Sequence, residues 1–320
     1  MSHVTYADGA WAAPVLGPVE PFAMHPATHV FHYGSACFEG LKAHRGNDGI
    51  VRIFRAARHV ERMRGSADVL CMPPPPAEML SEMLHSVTAA CLHEVPMSPG
   101  SLYLRPTLIG TEPNIGAAAS PSSTVLLFVL ASPVGDYFSG GIRPLGIAIE
   151  TDQPRTTPQF GMVKSGANYV MALKPTLDAK KKLGIDQVLF APGGIVQETG
   201  ASNFMLIDAE RVITPALTAS FLHGVTRDSL LTLARDLGYV IEERDLTVDE
   251  VVAWANRPGA EAALAGTAAV LSPVGRLVHH GESIDVGSGG IGEHTIRLRS
   301  ALTDLHIGAT PDPYGWLTTP

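Results

Sequence analysis

Hydrophobic residues in the first third of the chain recur at helical spacing in two stretches. Over residues 55–70, Val60, Met63 and Ala67 fall on one face of a 3.6-residue period, which predicts an amphipathic helix. Four consecutive prolines, Pro73, Pro74, Pro75 and Pro76, stop that helix, because proline removes the amide donor and its ring clashes with the preceding turn. A second helix restarts over residues 77–92, with Met79, Met83, Val87 and Cys91 at intervals of four. Short apolar runs bounded by turn residues predict strands at residues 49–54, 102–108 and 124–130.

Residues 132–141 read Ser-Pro-Val-Gly-Asp-Tyr-Phe-Ser-Gly-Gly, a turn-rich piece suited to joining two domains, and residues 153–161 form a second break with two prolines. Between them residues 144–150 predict a strand. Downstream the pattern predicts helix 169–183, strand 187–190, a Gly193-Gly194 turn, strand 203–207 and helix 227–237. An apolar run at 262–265, a strand-like 283–286 and a helix over 293–305 follow. This is a mixed α/β, two-domain pattern without a repeat period. It places a smaller N-terminal α/β domain over residues 1–137, a connection over 138–150 and a larger C-terminal domain over 151–320.

Composition narrows the partners. A chain of 320 residues with 45% hydrophobic and 17% charged residues is globular, and at that length it buries roughly three quarters of its unfolded surface. A net charge of −8, from 23 basic against 31 acidic residues, argues against nucleic acid or an anionic membrane and leaves small molecules as better partners. Cys37, Cys71 and Cys91 are odd in number and unclustered, which predicts reduced, buried thiols and neither a disulfide framework nor a metal site. The first residues lack a basic or apolar leader and no long apolar run follows, so a cytoplasmic location is expected.

Gly287-Ser288-Gly289-Gly290-Ile291-Gly292 satisfies G-x-G-x-x-G between a strand and a helix. Too little chain follows it for the second strand and acidic residue that a dinucleotide site requires, so it is read as a loop before a C-terminal helix. A second segment is more informative: Met162-Val163-Lys164-Ser165-Gly166-Ala167-Asn168-Tyr169 sets a lysine between apolar and small neighbours. A lysine amine attacks a carbonyl only when part of it is neutral, which such surroundings favour. The chain has only six lysines: Lys180, Lys181 and Lys182 form a charge run at a helix end and Lys174 adjoins Pro175. Lys164 and Lys42 remain as candidates for a Schiff-base role. Glu198 stands as a lone carboxylate in Gln197-Glu198-Thr199-Gly200-Ala201-Ser202-Asn203, placed to hold a protonated ring nitrogen or simply a surface turn. His223-Gly224-Val225-Thr226-Arg227-Asp228 leads into a helix, and Gly266-Thr267-Ala268 follows an apolar run; each suits an anion or a plain cap. Arg62 offers a positive charge on the first helix.

In order and spacing these segments resemble the fold-type IV pyridoxal-phosphate enzymes, in particular the branched-chain amino-acid aminotransferases. The likeness covers most of the chain. It is densest in His32-Tyr33-Gly34 through Phe38-Glu39-Gly40-Leu41-Lys42-Ala43 and in residues 101–113, which contain Tyr103-Leu104-Arg105-Pro106, then in residues 127–138, 164–169, 224–228 and 266–268. The resemblance implies a D-amino-acid aminotransferase-like fold whose C-terminal domain carries a pseudo-barrel sheet and binds pyridoxal 5′-phosphate. By the same likeness Lys164 bonds the cofactor and shuttles the proton, Glu198 pairs with the pyridine nitrogen, and Tyr169 approaches the ring hydroxyl. Arg62, the amides of Val225 and Thr226, and Thr267 hold the phosphate. Tyr33 and Phe38 wall the substrate pocket, Tyr103 and Arg105 meet carboxylates, Ala268 offers an amide to the α-carboxylate, and Lys42 becomes a supporting residue. The implied enzyme is a homodimer with a shared active site, moving an amino group between a branched-chain or related L-amino acid and 2-oxoglutarate by ping-pong kinetics.

The chain also departs from that pattern. Residues 155–161 lack the Gly-Gly-Thr-Gly of the nearest relatives, His223 replaces a proline, Ala201 replaces a frequent threonine, and Ser165 and Ala167 differ beside the lysine. Ala269 and Ser272 stand where the mammalian-type enzymes carry C-x-x-C. Three alternatives therefore stay open: an aminotransferase of specialised biosynthesis acting on an unusual amino acid, a lyase resembling aminodeoxychorismate lyase, and a non-catalytic binding protein on the same scaffold.

Overall fold

The apolar run at residues 124–130 covers the first six residues of a ten-residue strand, Val125–Val134, and its partner Ser101–Gly110 is equally long. The computed structural model describes residues 1–116, 119–136 and 140–320. Contacts divide the chain into two units, one built from Met1–Gly135, Val163–Ala167 and Leu305–Pro320, the other from Asp136–Met162 and Asn168–Asp304. The expected boundary at residues 137 and 138 falls outside the described residues. The last residues and the short piece around Lys164 sort with the first unit, a division that the sequence pattern does not carry.

In the first unit the elements are β1 (Ser2–Ala7), β2 (Ala10–Trp11), β3 (Val15–Leu16), α1 (His29–Tyr33), β4 (Ala36–Phe38), β5 (Leu41–Arg45) and β6 (Val51–Phe54). Then come α2 (Ala56–Val69), α3 (Ala77–Ala90), β7 (Ser101–Gly110) and β8 (Val125–Val134). Among the described residues the sheet runs Leu317–Thr318, β6, β5, β7, β8, β1, β2, with β3 on β1 and β4 on β7, and every pairing is antiparallel. Strands β7 and β8 pair from Ser101 opposite Val134 to Gly110 opposite Val125, so Pro133 lies in the ladder opposite Leu102. The turn-rich reading of residues 132–141 therefore starts too early, because the long partner strand overrides the local turn signal.

Helix α2 buries the predicted stripe of Val60, Met63 and Ala67 against Leu41, Ile53 and Leu102 of the sheet core. Helix α3 buries Leu80, Met83, Leu84 and Val87, a wider stripe than the predicted i+4 row, whose Met79 and Cys91 lie at its margin. Chain folding back at the C-terminus explains why residues 305–320 belong here: Leu317 and Thr318 pair with Phe54 and Ile53, and the Arg55 guanidinium lies 4.5 Å from the Trp316 ring. Of the three cysteines only Cys37 is buried; Cys91 is half-buried and Cys71 is exposed, contrary to the expectation of buried thiols.

The second unit holds β9 (Leu145–Glu150), α4 (Gly166–Leu183, entering from the first unit), β10 (Gln187–Phe190), β11 (Asn203–Ile207) and β12 (Arg211–Pro215). It continues with α5 (Val225–Asp236), β13 (Val240–Arg244), α6 (Val248–Ala255), β14 (Glu261–Gly266), β15 (Val270–His279), β16 (Glu282–Asp285) and α7 (Glu293–His306). Its sheet order is β10, β9, β15, β14, β11, β12, β13, with β16 on β15. The β9 pairings and β12 with β13 are parallel and the rest antiparallel, so the sheet is mixed.

The G-x-G-x-x-G segment has a structural explanation. The Glu261 carboxylate accepts the amides of His294 at 3.0 Å and Thr295 at 2.7 Å and the Thr295 hydroxyl at 2.7 Å, so it caps α7 itself. A Cβ on Gly292 would lie 1.9 Å from the Glu261 carboxyl carbon, and one on Gly287 would lie 2.3 Å from the Ala260 carbonyl oxygen. Gly292 thus admits an internal carboxylate where a nucleotide motif would admit a phosphate, and Gly287 a close backbone approach.

Candidate active site

On the first unit the sequence Phe38-Glu39-Gly40 connects the residues of interest. The Phe38 amide donates to the Lys164 carbonyl at 3.0 Å, and the Phe38 ring lies 5.1 Å from Lys164 Nζ and 4.6 Å from the Arg105 guanidinium. Arg105 in turn donates to the Tyr103 hydroxyl at 2.8 Å. A Cβ on Gly40 would lie 2.0 Å from that hydroxyl oxygen, so only glycine admits the Tyr103 side chain there. Tyr33 lies on α1, its hydroxyl donating to the Ile115 carbonyl.

Helix α2 presents His59, Arg62 and Ser66 at i, i+3 and i+7, one polar face beside its apolar stripe. The Ser66 hydroxyl accepts the Lys164 amide at 3.1 Å. Glu39, fully buried, receives Arg62 through Nε at 2.6 Å and Nη2 at 2.8 Å, and His59 Nδ1 lies 2.7 Å from the same carboxylate. Burial alone would raise the Glu39 carboxyl, but the Arg62 ion pair and the His59 bond hold it well below the usual range. Burial pushes His59 down despite Glu39 beside it, so the ring is neutral at pH 7 and donates from Nδ1 to Glu39. Arg62 is thus a cation whose orientation is set by a buried carboxylate.

On the second unit Glu198 is 2% exposed and closely held. Its Oε1 accepts Arg155 Nη1 at 2.6 Å and the Leu222 amide at 2.9 Å, and its Oε2 accepts Asn203 Nδ2 at 3.1 Å. Asn203 also donates to the Leu222 carbonyl at 2.9 Å, and its Oδ1 fills the space where a Cβ on Gly224 would sit, 2.0 Å away. Gly224 is the N-cap of α5 and supplies no side-chain cap to the first-turn amides, which include those of Val225 and Thr226. Arg227 points elsewhere, into Glu243 and the Pro215 carbonyl at 2.8 Å each. His223 ties this loop down by a 2.9 Å bond to the Thr218 carbonyl.

Thr267 and Ala268 lie in the turn between β14 and β15, and the turn ends on Val270 with φ +62°. A β-branched residue in the left-handed region is strained. Arg299 on α7 braces it, donating to the Leu271 carbonyl at 3.0 Å and to the Ala269 carbonyl. Tyr169 lies near the start of α4, its ring 5.5 Å from the Arg155 guanidinium. Of the other lysines, Lys174 is paired with Asp178 on the exposed face of α4, and Lys42 sits in β5 opposite Tyr103.

The sequence reading named Lys164, Arg62, Phe38, Tyr103 and Arg105, which the first unit brings together, and Glu198, Val225, Thr226 and Tyr169, which the second unit gathers around Arg155 and Asn203. It missed Glu39, His59, Arg155, Asn203 and Arg299 as site residues. The polar i, i+3, i+7 face of α2 is a signal that could have found His59. The others are set by pairings that no local spacing encodes.

An uncapped helix start beside a pinned carboxylate suits a flat ring bearing an anionic group, so the donor set fits pyridoxal 5′-phosphate. Comparison with known proteins agrees with this chemistry. The family model Amino-transferase class IV matches residues 36–277. A probable branched-chain-amino-acid aminotransferase of Streptomyces coelicolor is 39% identical over all of this chain and 90% of its own length. The branched-chain-amino-acid aminotransferase 2 of Bacillus subtilis is 39% identical over 98% of this chain and 87% of its own. Among solved structures, the branched-chain amino acid aminotransferase of Escherichia coli superposes with a TM-score of 0.77 at 26% identity, covering 99% of this chain and 98% of that one. The likeness spans both units, and the chain belongs to the class IV aminotransferases.

Proposed function

We propose that this chain is a pyridoxal 5′-phosphate-dependent aminotransferase that moves an amino group between a branched-chain or related L-amino acid and 2-oxoglutarate. The observation that carries the reading is the Glu198 carboxylate, bonded by Arg155, Asn203 and the Leu222 amide and joined through Asn203 to the start of α5. When bound, the cofactor supplies a carbonyl carbon that takes the amino group and a ring that accepts the electron pair left at the substrate's α-carbon. Lys164 is the residue assigned to hold that carbon, and its amine moves the proton at the α-carbon. Glu198 keeps the ring nitrogen protonated, and Tyr169 is assigned to the ring hydroxyl. Arg62, the amides of Val225 and Thr226, and Thr267 are assigned to the phosphate. Phe38 and Tyr33 wall the pocket, Tyr103 and Arg105 meet a carboxylate, and Ala268 offers its amide to the α-carboxylate.

Arg105 supports the two-substrate part of the reading. It is a cation lying between the rings of Phe38 and Tyr103, so one wall presents both an apolar face and a charge-assisted donor. A homodimer belongs to the same proposal and is supported by α4, whose Val170, Leu173 and Leu177 are 70%, 53% and 54% exposed along one face. Among the described residues no helix is long and apolar enough to cross a membrane. The test is chemical: borohydride reduction of protein loaded with pyridoxal 5′-phosphate, followed by peptide mass spectrometry, places the cofactor mass on the peptide containing Lys164. Lys164→Ala removes that label; a label that persists, or that sits on Lys42, overturns the assignment.

A further inference from the structure

The segment before the lysine contains a fully buried arginine, Arg155. We propose that Arg155 is a positioning residue that sets the orientation of Glu198, an inference that rests on the reading of Glu198 as the partner of the ring nitrogen. Arg155 is 2% exposed, and its guanidinium serves two neighbours at once. Nη1 donates to Glu198 Oε1 at 2.6 Å, and Nε donates to the Gly200 carbonyl at 3.1 Å. Glu198 and Asn203 face each other across the tight loop that contains Gly200, closed by the Thr199 amide to the Ser202 carbonyl at 2.9 Å. One side chain therefore holds both the carboxylate and the loop that aims it.

The same guanidinium lies 5.5 Å from the ring of Tyr169, so the residue assigned to the ring nitrogen and the residue assigned to the ring hydroxyl share Arg155 as a neighbour. The backbone around Arg155 is fixed as well. Thr156 donates to Asn168 Oδ1 at 2.8 Å, Asn168 donates to the Phe160 carbonyl at 3.0 Å, and the Met162 amide donates to Ala219 at 3.2 Å. Gly161 packs so tightly on Ser220 that a Cβ would lie 2.0 Å from its carbonyl carbon. These contacts hold the segment of residues 155–162 in place around one arginine. Removing Arg155 leaves the buried Glu198 carboxylate without its charged partner, and breaking a buried ion pair on one side is costly. Lysine cannot substitute fully: it is a point charge without the planar fork that reaches Glu198 and Gly200 together.

The test is a double-substitution cycle read as the dissociation constant of pyridoxal 5′-phosphate from the apoprotein, followed by protein fluorescence. Wild type binds; Arg155→Gln and Glu198→Gln each weaken binding about tenfold or more. The double variant binds no worse than Glu198→Gln alone, because Arg155 acts through Glu198. Arg155→Lys weakens binding less than Arg155→Gln and, if the glutamine variant does not fold, supplies the same cycle. Undiminished binding in both Arg155 variants, or losses that multiply in the double variant, overturns the inference. Wild type that does not bind the cofactor refutes the proposed function itself, which separates the two failures.

Discussion

Burial of single titratable side chains gives this protein a pH signature. His44, on β5, stacks on His306 with ring centroids 4.5 Å apart. Burial, with a lesser contribution from Lys42, pushes its pKa down to about 3. An unfolded histidine titrates near pH ~6.5, so between that pH and 3 the unfolded chain binds the extra proton and stability falls as pH falls. The loss from this one ring is on the order of a few kcal/mol. His44→Phe keeps an aromatic surface without the proton, and its thermal midpoint should fall less steeply than that of wild type from pH 7 to 4.5; equal slopes contradict the assignment. Legibility at this scale was uneven. Lys164 and Glu198 stand out in the sequence because small neighbours isolate them, and the scarcity of lysine sharpened the first. Glu39 and Arg155 are fully buried and central to the geometry, yet each is defined by a partner at least 20 positions away in the chain.

At the scale of elements, α2, α3, β10, β11 and α7 were readable because their apolar periods are continuous. Strand β15 was not, since Pro273 and Gly275 break its pattern; it is held instead by β14, β9 and β16 around it. Helix α6 and strands β12 and β13 were likewise absent from the sequence reading, and their order emerges only from the sheet. Helix α4 was read correctly as a helix, but not its exposed stripe, because an apolar row looks the same whether it faces a core or a second copy. If that stripe is the dimer contact, Leu173→Asp with Leu177→Asp should halve the sedimenting mass from two chains to one while leaving the far-ultraviolet spectrum unchanged. A wild-type chain that sediments as a monomer, or variants that remain dimers, contradicts it.

Considered as a whole molecule, the chain uses one antiparallel sheet to arrange Lys164, Arg62 and Arg105 and one mixed sheet to arrange Glu198 and the start of α5. Family membership was legible from ordered motifs, but the return of residues 305–320 to the first unit was not, since it depends on the two-residue strand Leu317–Thr318. The central claim is amino-group transfer in two separate halves, and a single-turnover experiment addresses it directly. Protein loaded with pyridoxal 5′-phosphate is mixed with L-leucine in excess and no 2-oxo acid, and the products are counted by chromatography. The account predicts one equivalent of pyridoxamine 5′-phosphate and one equivalent of the leucine-derived 2-oxo acid per cofactor, then no further product until 2-oxoglutarate is added. Continued product formation without an acceptor, or no conversion with any L-amino acid tried, would contradict it.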